Sequence, residues 1–280
     1  MARNLNKFYY RDYFSGIRFS FKTDSNKREV IADNEGVRVI GKRNKEFLAA
    51  SNRNYLAEAK GVLNTINPFI NKSFTLSVCY PGLVTGVGIG HEAKIEEEFK
   101  LGIHLDYTTG LPVIYGSSVK GVLRSAFEVE NLMEVLLAVA GPKLKEELDM
   151  VGQKLAKRPL KEWSALIFGD NEERESRSAY HRDIFFDAIV ADVNENGLFL
   201  ASDSITPHGS NPLQNPIPIT FVRIASGCNI RFRFRLVDTD SMTVNDKQVL
   251  FKAILMTFGV GAKTNVGYGR LEEKGKEKVG

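Results

Sequence analysis

The sequence predicts an α+β fold of the ferredoxin-like kind seen in RNA-recognition modules: an antiparallel sheet with packed helices, a helical insertion and long loops. Three features of the 280-residue chain point there. "SFTLSVCYPG" and "CNIRFRFRLVD" alternate apolar and polar residues with the period of half-buried strands. Helical patterns in "SVKGVLRSAF" and "DKQVLFKAILMTF" stand between strand-like runs. With an insertion at 128–168 set aside, the order reads strand, helix, strand, strand, helix, strand, a split βαβ unit. Many functions share that arrangement, so fold alone does not decide this one.

The division that follows is a basic, aromatic-rich segment over 1–72, a main domain over 73–271 and a loose tail over 272–280. Residues 1–60 hold 13 Lys/Arg against 7 Asp/Glu, a net +6, within an overall charge of +4. There Arg3, Lys7, Arg11 and Arg18 interleave with Phe8, Tyr9, Tyr10, Tyr13 and Phe14. Cations neutralise phosphate and rings offer stacking faces, so the segment either binds nucleic acid or packs its aromatics on its own domain or a neighbouring subunit. The opening "MARNLNKFYYRDYF" lacks the apolar run of a signal peptide, and no apolar run approaches the roughly 20 residues that cross a bilayer. Cys79 and Cys228 lie far from each other and from any C-x-x-C or His pairing. The expectation is a soluble cytoplasmic protein with no membrane contact, no disulfide framework, no bound metal and no cofactor.

The main domain opens with Phe74, Leu76, Val78 and Tyr80 on one strand face, stopping at Pro81-Gly82. "LVTGVGIG" suits a bend, and "FKLGIHLDYTTGLPVI" reads as a hairpin turning at Thr108 to Gly110. The next helix buries Val119, Val122, Leu123 and Ala126. The insertion reads as two helices, "EVENLMEVLLAVAG" and then "KLKEELDMVGQKLAK" up to Pro159. "IFFDAIVAD", a turn at "NENG" and "LFLASDSI" look like two adjacent strands. Four of the nine prolines fall between Pro207 and Pro218, which predicts a long extended loop. The helix "DKQVLFKAILMTF", apolar nearly all round, then leads through "GVGAKTNVGYGRL" into a last strand.

The candidate site begins at "GSSVKGVLR". A phosphate-binding loop of the G-x-x-x-x-G-K-[S/T] kind is excluded, because Lys120 precedes the second glycine. Gly116, Ser117 and Ser118 instead lead into a helix whose unpaired N–H groups and positive dipole end attract an anion. Lys120 and Arg124, at i and i+4, stand together near its start. Either they seat a phosphodiester, or Ser118 caps the helix and the cations form a solvated face. The second loop combines Gly259, Gly261, Gly267 and Gly269 with Lys263, Thr264, Asn265, Tyr268 and Arg270, and glycines let a backbone approach a sugar-phosphate chain closely. Arg231, Arg233 and Arg235 alternate on one strand face about 6.6 Å apart, where they line an RNA path, meet a subunit or face solvent. The four histidines, 91, 104, 181 and 208, show no metal-hydrolase pairing, and no G-x-S-x-G elbow occurs. His208, with Asp203 nearby in "SDSITPHGS", is the candidate general acid or base if the chain cuts RNA.

Taken in order, "GLPVIYGSSVKGVLRSAF", "IFGD", "DIFFDAIV", "TPHGSNPLQNPIPITFV" and "GVGAKTNVGYGRL" resemble the RAMP superfamily of CRISPR-associated proteins. The resemblance covers about residues 73–271. It implies a ferredoxin-like RAMP fold and a non-catalytic subunit that binds guide RNA (crRNA). It further implies assembly beside other RAMP subunits of a type III-B (Cmr) complex that recognises foreign RNA. Guide RNA, target RNA and those subunits are the partners it implies, with the loops at Gly116–Lys120 and Arg124 and at Gly261–Arg270 on the guide backbone. A superfamily endoribonuclease that processes CRISPR precursor RNA through His208 is the alternative.

Overall fold

The computed structural model describes residues 4–24, 27–86, 93, 95–100, 102–169, 182–206, 218–239 and 241–273. The chain opens with a helical turn, α1 (Leu5–Lys7), continued to Asp12, and a hairpin of β1 (Phe19–Asp24) and β2 (Lys27–Ala32). Two helices follow, α2 (Asn34–Ala50) and α3 (Arg53–Leu63). Asp33 starts α2 by accepting from the Gly36 N–H at 2.6 Å. Most of the N-terminal aromatics are structural: Phe8, Tyr9 and Tyr13 are buried, and Phe47 of α2 stacks on Phe8 and Tyr9. Tyr9 donates to the Phe99 carbonyl at 2.6 Å and Tyr13 accepts from the Phe99 N–H at 2.9 Å, so buried hydroxyls keep their partners.

The remaining elements are β3 (Lys72–Val78), β4 (His104–Leu105), β5 (Pro112–Ile114), α4 (Gly116–Ala126), α5 (Leu132–Val139), α6 (Pro142–Leu155), α7 (Leu160–Phe168), β6 (Ile184–Asp192), β7 (Leu200–Ile205), β8 (Ile219–Ile224), β9 (Asn229–Arg235), α8 (Val244–Phe258) and β10 (Leu271–Glu272). A six-stranded antiparallel sheet runs in the order β10-β3-β9-β6-β5-β4. Counting β3, β6, β9 and β10 as first to fourth, their order is four, one, three, two, the split βαβ topology that the pattern predicts. Phe74, Phe185, Phe234 and Phe251 meet at centroid distances of 5.5–5.9 Å between the sheet and α8. Phe234 and Phe251 of that layer are fully buried, and Phe74 and Phe185 are half-buried at its margin.

Four expectations change. Tyr80 is 81% exposed, because β3 ends at Val78 and the strand face ends with it. The insertion holds three helices, the third, α7, starting directly after Pro159, whose fixed φ suits a helix entrance. β6 and β7 are not partners. The turn at Asn194–Gly197 forms, but Phe199 then donates its N–H to the Ser51 carbonyl at 2.8 Å, which diverts β7 towards the N-terminal helices. There β7 pairs in full register with β8, a strand hidden in the sequence behind the proline run. The arginine face is also broken. Arg231 is exposed and Arg235 half-buried, but Arg233 is 3% exposed. Asp187 and Ala188 of β6 bulge opposite the single residue Phe232, and the Arg233 guanidinium folds onto the Asp187 carbonyl with bonds of 3.0 and 2.7 Å.

Candidate nucleic-acid interface

The α4 entrance is built by β5 and β6. Val113 and Ile114 pair with Ile189 and Ala188, and the chain turns into α4 at Tyr115, which precedes Gly116 without a side-chain cap. The helix therefore begins before Ser118, which lies in its first turn and is not the cap. Gly116 lies against the β6 backbone, where any β-carbon would run into the Phe185 carbonyl. Its N–H donates to the Asp187 carboxylate at 2.7 Å, so the first donor of the helix already holds an anion from within the fold. The bulge aspartate thus serves two neighbours, its carbonyl on Arg233 and its carboxylate on Gly116.

Ser117, Ser118 and Arg124 are exposed, while Val119, Leu123 and Ala126 are buried and Val122 half-buried. Lys120 donates to the Phe168 carbonyl at 2.8 Å, at the C-terminal end of α7, and its ammonium lies 5.9 Å from the Phe185 ring centroid. A shallow depression of about 250 Å³ runs between α4 and the start of β6, lined by Gly116, Ser117, Lys120, Arg182, Asp183, Ile184 and Phe185. Its charged lining is two cations, Lys120 and Arg182, and one carboxylate, Asp183, which is paired with Lys247.

The glycine-rich loop stands at the other end of α4. Gly259 ends α8 at φ +70°, and a β-carbon there would meet the Gly269 carbonyl at 2.7 Å. Gly269, at φ +73°, lies closer still to the Val260 carbonyl, and the two sides of the loop bond through Val260 N–H to Gly269 O at 3.0 Å. Ala262 donates to the Val84 carbonyl at 2.7 Å. Lys263 adopts a left-handed backbone at φ +61° and turns Thr264, Asn265 and Val266 out to solvent, with Arg270 also exposed. Tyr268 points inward: it is 7% exposed, its ring meets Phe221 edge-on at 5.8 Å, and its hydroxyl donates to Asp203 at 2.9 Å. Burial, then the Asp203 carboxylate, pushes that phenol up to about 12. Arg223 completes the buttress at 3.0 Å from Asp203.

A groove of about 300 Å³ separates this loop from Val122, Ser125 and Ala126 of α4. The two sequence-predicted loops therefore flank one helix of 11 residues, about 16 Å long at 1.5 Å per residue. Sequence reasoning missed Asp187, Asp203 and Asp183 as organisers; each is a carboxylate in or beside an apolar strand, where a buried partner is required. His208 lies outside the described residues, as do His91 and His181. Among the described residues no group of His, Cys, Asp or Glu could hold a metal ion, and no helix is long and apolar enough to cross a membrane.

A sequence profile of the RAMP superfamily matches residues 75–272, a stretch that takes in both loops. Among curated proteins the chain is similar to the Cmr6 subunit of the CRISPR Cmr system of Pyrococcus furiosus, 26% identical over 265 residues that cover 79% of this chain and 72% of that protein. Among solved structures it is similar to a chain of the type III-B Cmr-β complex bound to cognate target RNA, at 19% identity and a TM-score of 0.48, covering 91% of this chain and 78% of that one. It is also similar to crystalline Cmr6 from Pyrococcus furiosus, at 21% identity and a TM-score of 0.38, covering 72% of this chain and 98% of the other.

Proposed function

This chain belongs to the RAMP superfamily, and on that premise we propose that it is a non-catalytic subunit of a type III-B CRISPR effector complex that binds guide RNA and holds neighbouring subunits. The observation that carries the reading is the placement of two donor-rich loops at opposite ends of α4, both inside the family match. The glycines and the internal carboxylates hold the backbone of these loops in shape. That leaves Ser117, Ser118, Arg124, Thr264, Asn265 and Arg270 exposed, with Lys120 and Lys263 half-exposed. Such groups contact phosphate and sugar and give register on an RNA strand without reading its sequence. The similarity to the Pyrococcus furiosus Cmr6 subunit supports a place in a multi-subunit complex.

The test is to express the chain with the genes beside it, purify the assembly and sequence the RNA it retains. Repeat-tagged small RNAs are the expected result. Lys120→Glu with Arg124→Glu weakens RNA association across sequences and flattens its salt dependence by about two phosphate contacts. Unchanged retention in that variant removes the pair from the site. Cleavage of repeat RNA by the purified chain without divalent metal, abolished by His208→Ala, would overturn the non-catalytic reading.

A further inference from the structure

We infer that Tyr10, His104 and Tyr115 form an aromatic platform on which an unpaired base of a single-stranded RNA stacks. The inference rests on the reading of the chain as an RNA-binding subunit and adds base contact to its backbone contacts. The aromatic segment at the N-terminus divides in the fold: Phe8, Tyr9 and Tyr13 are 3%, 0% and 0% exposed, whereas Tyr10 is 43% exposed. The Tyr10 hydroxyl reaches the carbonyl of Ile103, the residue before His104, at 3.5 Å, and Tyr115 is near enough to act on the Tyr10 phenol. The His104 and Tyr115 rings lie 4.7 Å apart at 36°, and Tyr115 is 42% exposed. Tyr10 from the N-terminal segment thus comes close to a pair of rings about 100 residues further along the chain, with Tyr10 and Tyr115 exposed and His104 half-buried.

That surface is held from below. The imidazole rests on Gly86, where a β-carbon would fall 2.9 Å from the ring, and the His104 N–H donates to Thr85 Oγ1 at 2.8 Å. Burial lowers the His104 pKa below its ordinary 6.5, so the ring is a neutral face at physiological pH. Burial and the neighbouring Tyr115 raise that of Tyr10. Lys7 and Arg11 are exposed on the same helical turn as Tyr10, at i−3 and i+1, and Ser117 and Ser118 follow Tyr115 directly. Flat faces bordered by cations and hydroxyls are the composition that single-stranded nucleic acid requires, with rings for bases and charges for the phosphates between them. Stacking of this kind tolerates any base, which fits a guide whose sequence varies.

The test measures the affinity of the full chain for an unstructured RNA oligonucleotide at several salt concentrations. Tyr10→Leu with Tyr115→Leu keeps apolar bulk and removes the flat faces; Tyr10→Phe with Tyr115→Phe keeps them. The leucine pair is expected to lose tenfold or more in affinity with the salt slope unchanged, and the phenylalanine pair to stay within twofold of the parent. RNA carrying 5-iodouridine is expected to photocrosslink to Tyr10 or Tyr115. Parental affinity in the leucine pair, alongside a loss in Lys120→Glu/Arg124→Glu, overturns the platform and leaves RNA binding standing. An equal fall in both aromatic pairs overturns it too, since the lost group is then the hydroxyl. If neither the parent chain nor its assembled complex binds RNA, the RNA-binding reading falls and the platform with it.

Discussion

Lys247 is wholly buried in α8, and its ammonium donates to the Asp183 carboxylate at 2.7 Å, the Val237 carbonyl at 2.8 Å and Thr239 Oγ1 at 2.6 Å. Asp183 also accepts from the Val237 N–H at 2.8 Å. Burial pushes the Asp183 carboxyl up and the Lys247 ammonium down, and their mutual attraction opposes both shifts. The pair fastens the β6 entrance, one wall of the α4 depression, to α8. Lys247→Met strands a buried carboxylate and is expected to cost about 3–5 kcal/mol in urea unfolding. Adding Asp183→Asn, which removes the charge and keeps an acceptor for Val237, is expected to restore most of that loss. Equal stability of the single and double variants would refute the pairing.

Among elements, the glycine-rich loop separates two kinds of glycine. Gly269 combines φ +73° with a backbone carbonyl where its β-carbon would sit; Gly267, at φ +96°, has only the Pro81 ring at 3.8 Å. Gly267→Ala therefore pays for backbone conformation alone, about 1–2 kcal/mol. Gly269→Ala must also part the Val260–Gly269 contact and is expected to lose more stability, together with RNA retention, though no polar group changes. The entrance of α8 carries a different dependence. Thr243 N–H and Oγ1 each donate to the Asp246 carboxylate at 2.7 Å, and Lys154 of α6 donates at 2.6 Å. Burial raises the Asp246 pKa, but these bonds outweigh it and the net shift is downward. A depressed carboxyl stabilises the fold above its unfolded value of 3.8 and loses that contribution as pH falls through the lower folded value. Thermal midpoints of Asp246→Asn are thus expected to lie below the parent's at neutral pH, by a capping loss of about 0.5–2 kcal/mol, and to converge with it under acid.

At the scale of the whole molecule, charge and fold point to different ends. The +6 of residues 1–60 and the +4 of the whole chain favour a polyanionic partner. The N-terminal segment that supplies it is folded into the same core as the sheet. A chain lacking residues 1–60 is therefore expected to expose the surfaces that Phe8, Tyr9, Tyr13 and Phe47 cover and to be recovered as aggregate, which size-exclusion chromatography checks; a soluble, monodisperse truncation would show the segment to be dispensable.

The split βαβ order, the buried stripe of α4, the burial of α8 and the turn at Gly110 were legible along the chain, because each depends on periodicity or turn chemistry within a few residues. Strand partners were not. "NENG" encodes a turn, but whether β7 lies beside β6 depends on Ser51, 148 residues before Phe199 and joined to it by one hydrogen bond. The same distinction divides the candidate site. Local pattern assigned Lys120 and Arg124 to one helix face and grouped the glycines of the second loop. It could not tell that an aspartate in the β6 bulge occupies the Gly116 N–H, that Arg233 turns inward, or that Tyr10 emerges beside Tyr115 while Tyr9 is sealed. Period and capping are short-range and written in neighbouring residues; burial and partnership are decided by segments far apart in the chain, and only the packed structure brings those together.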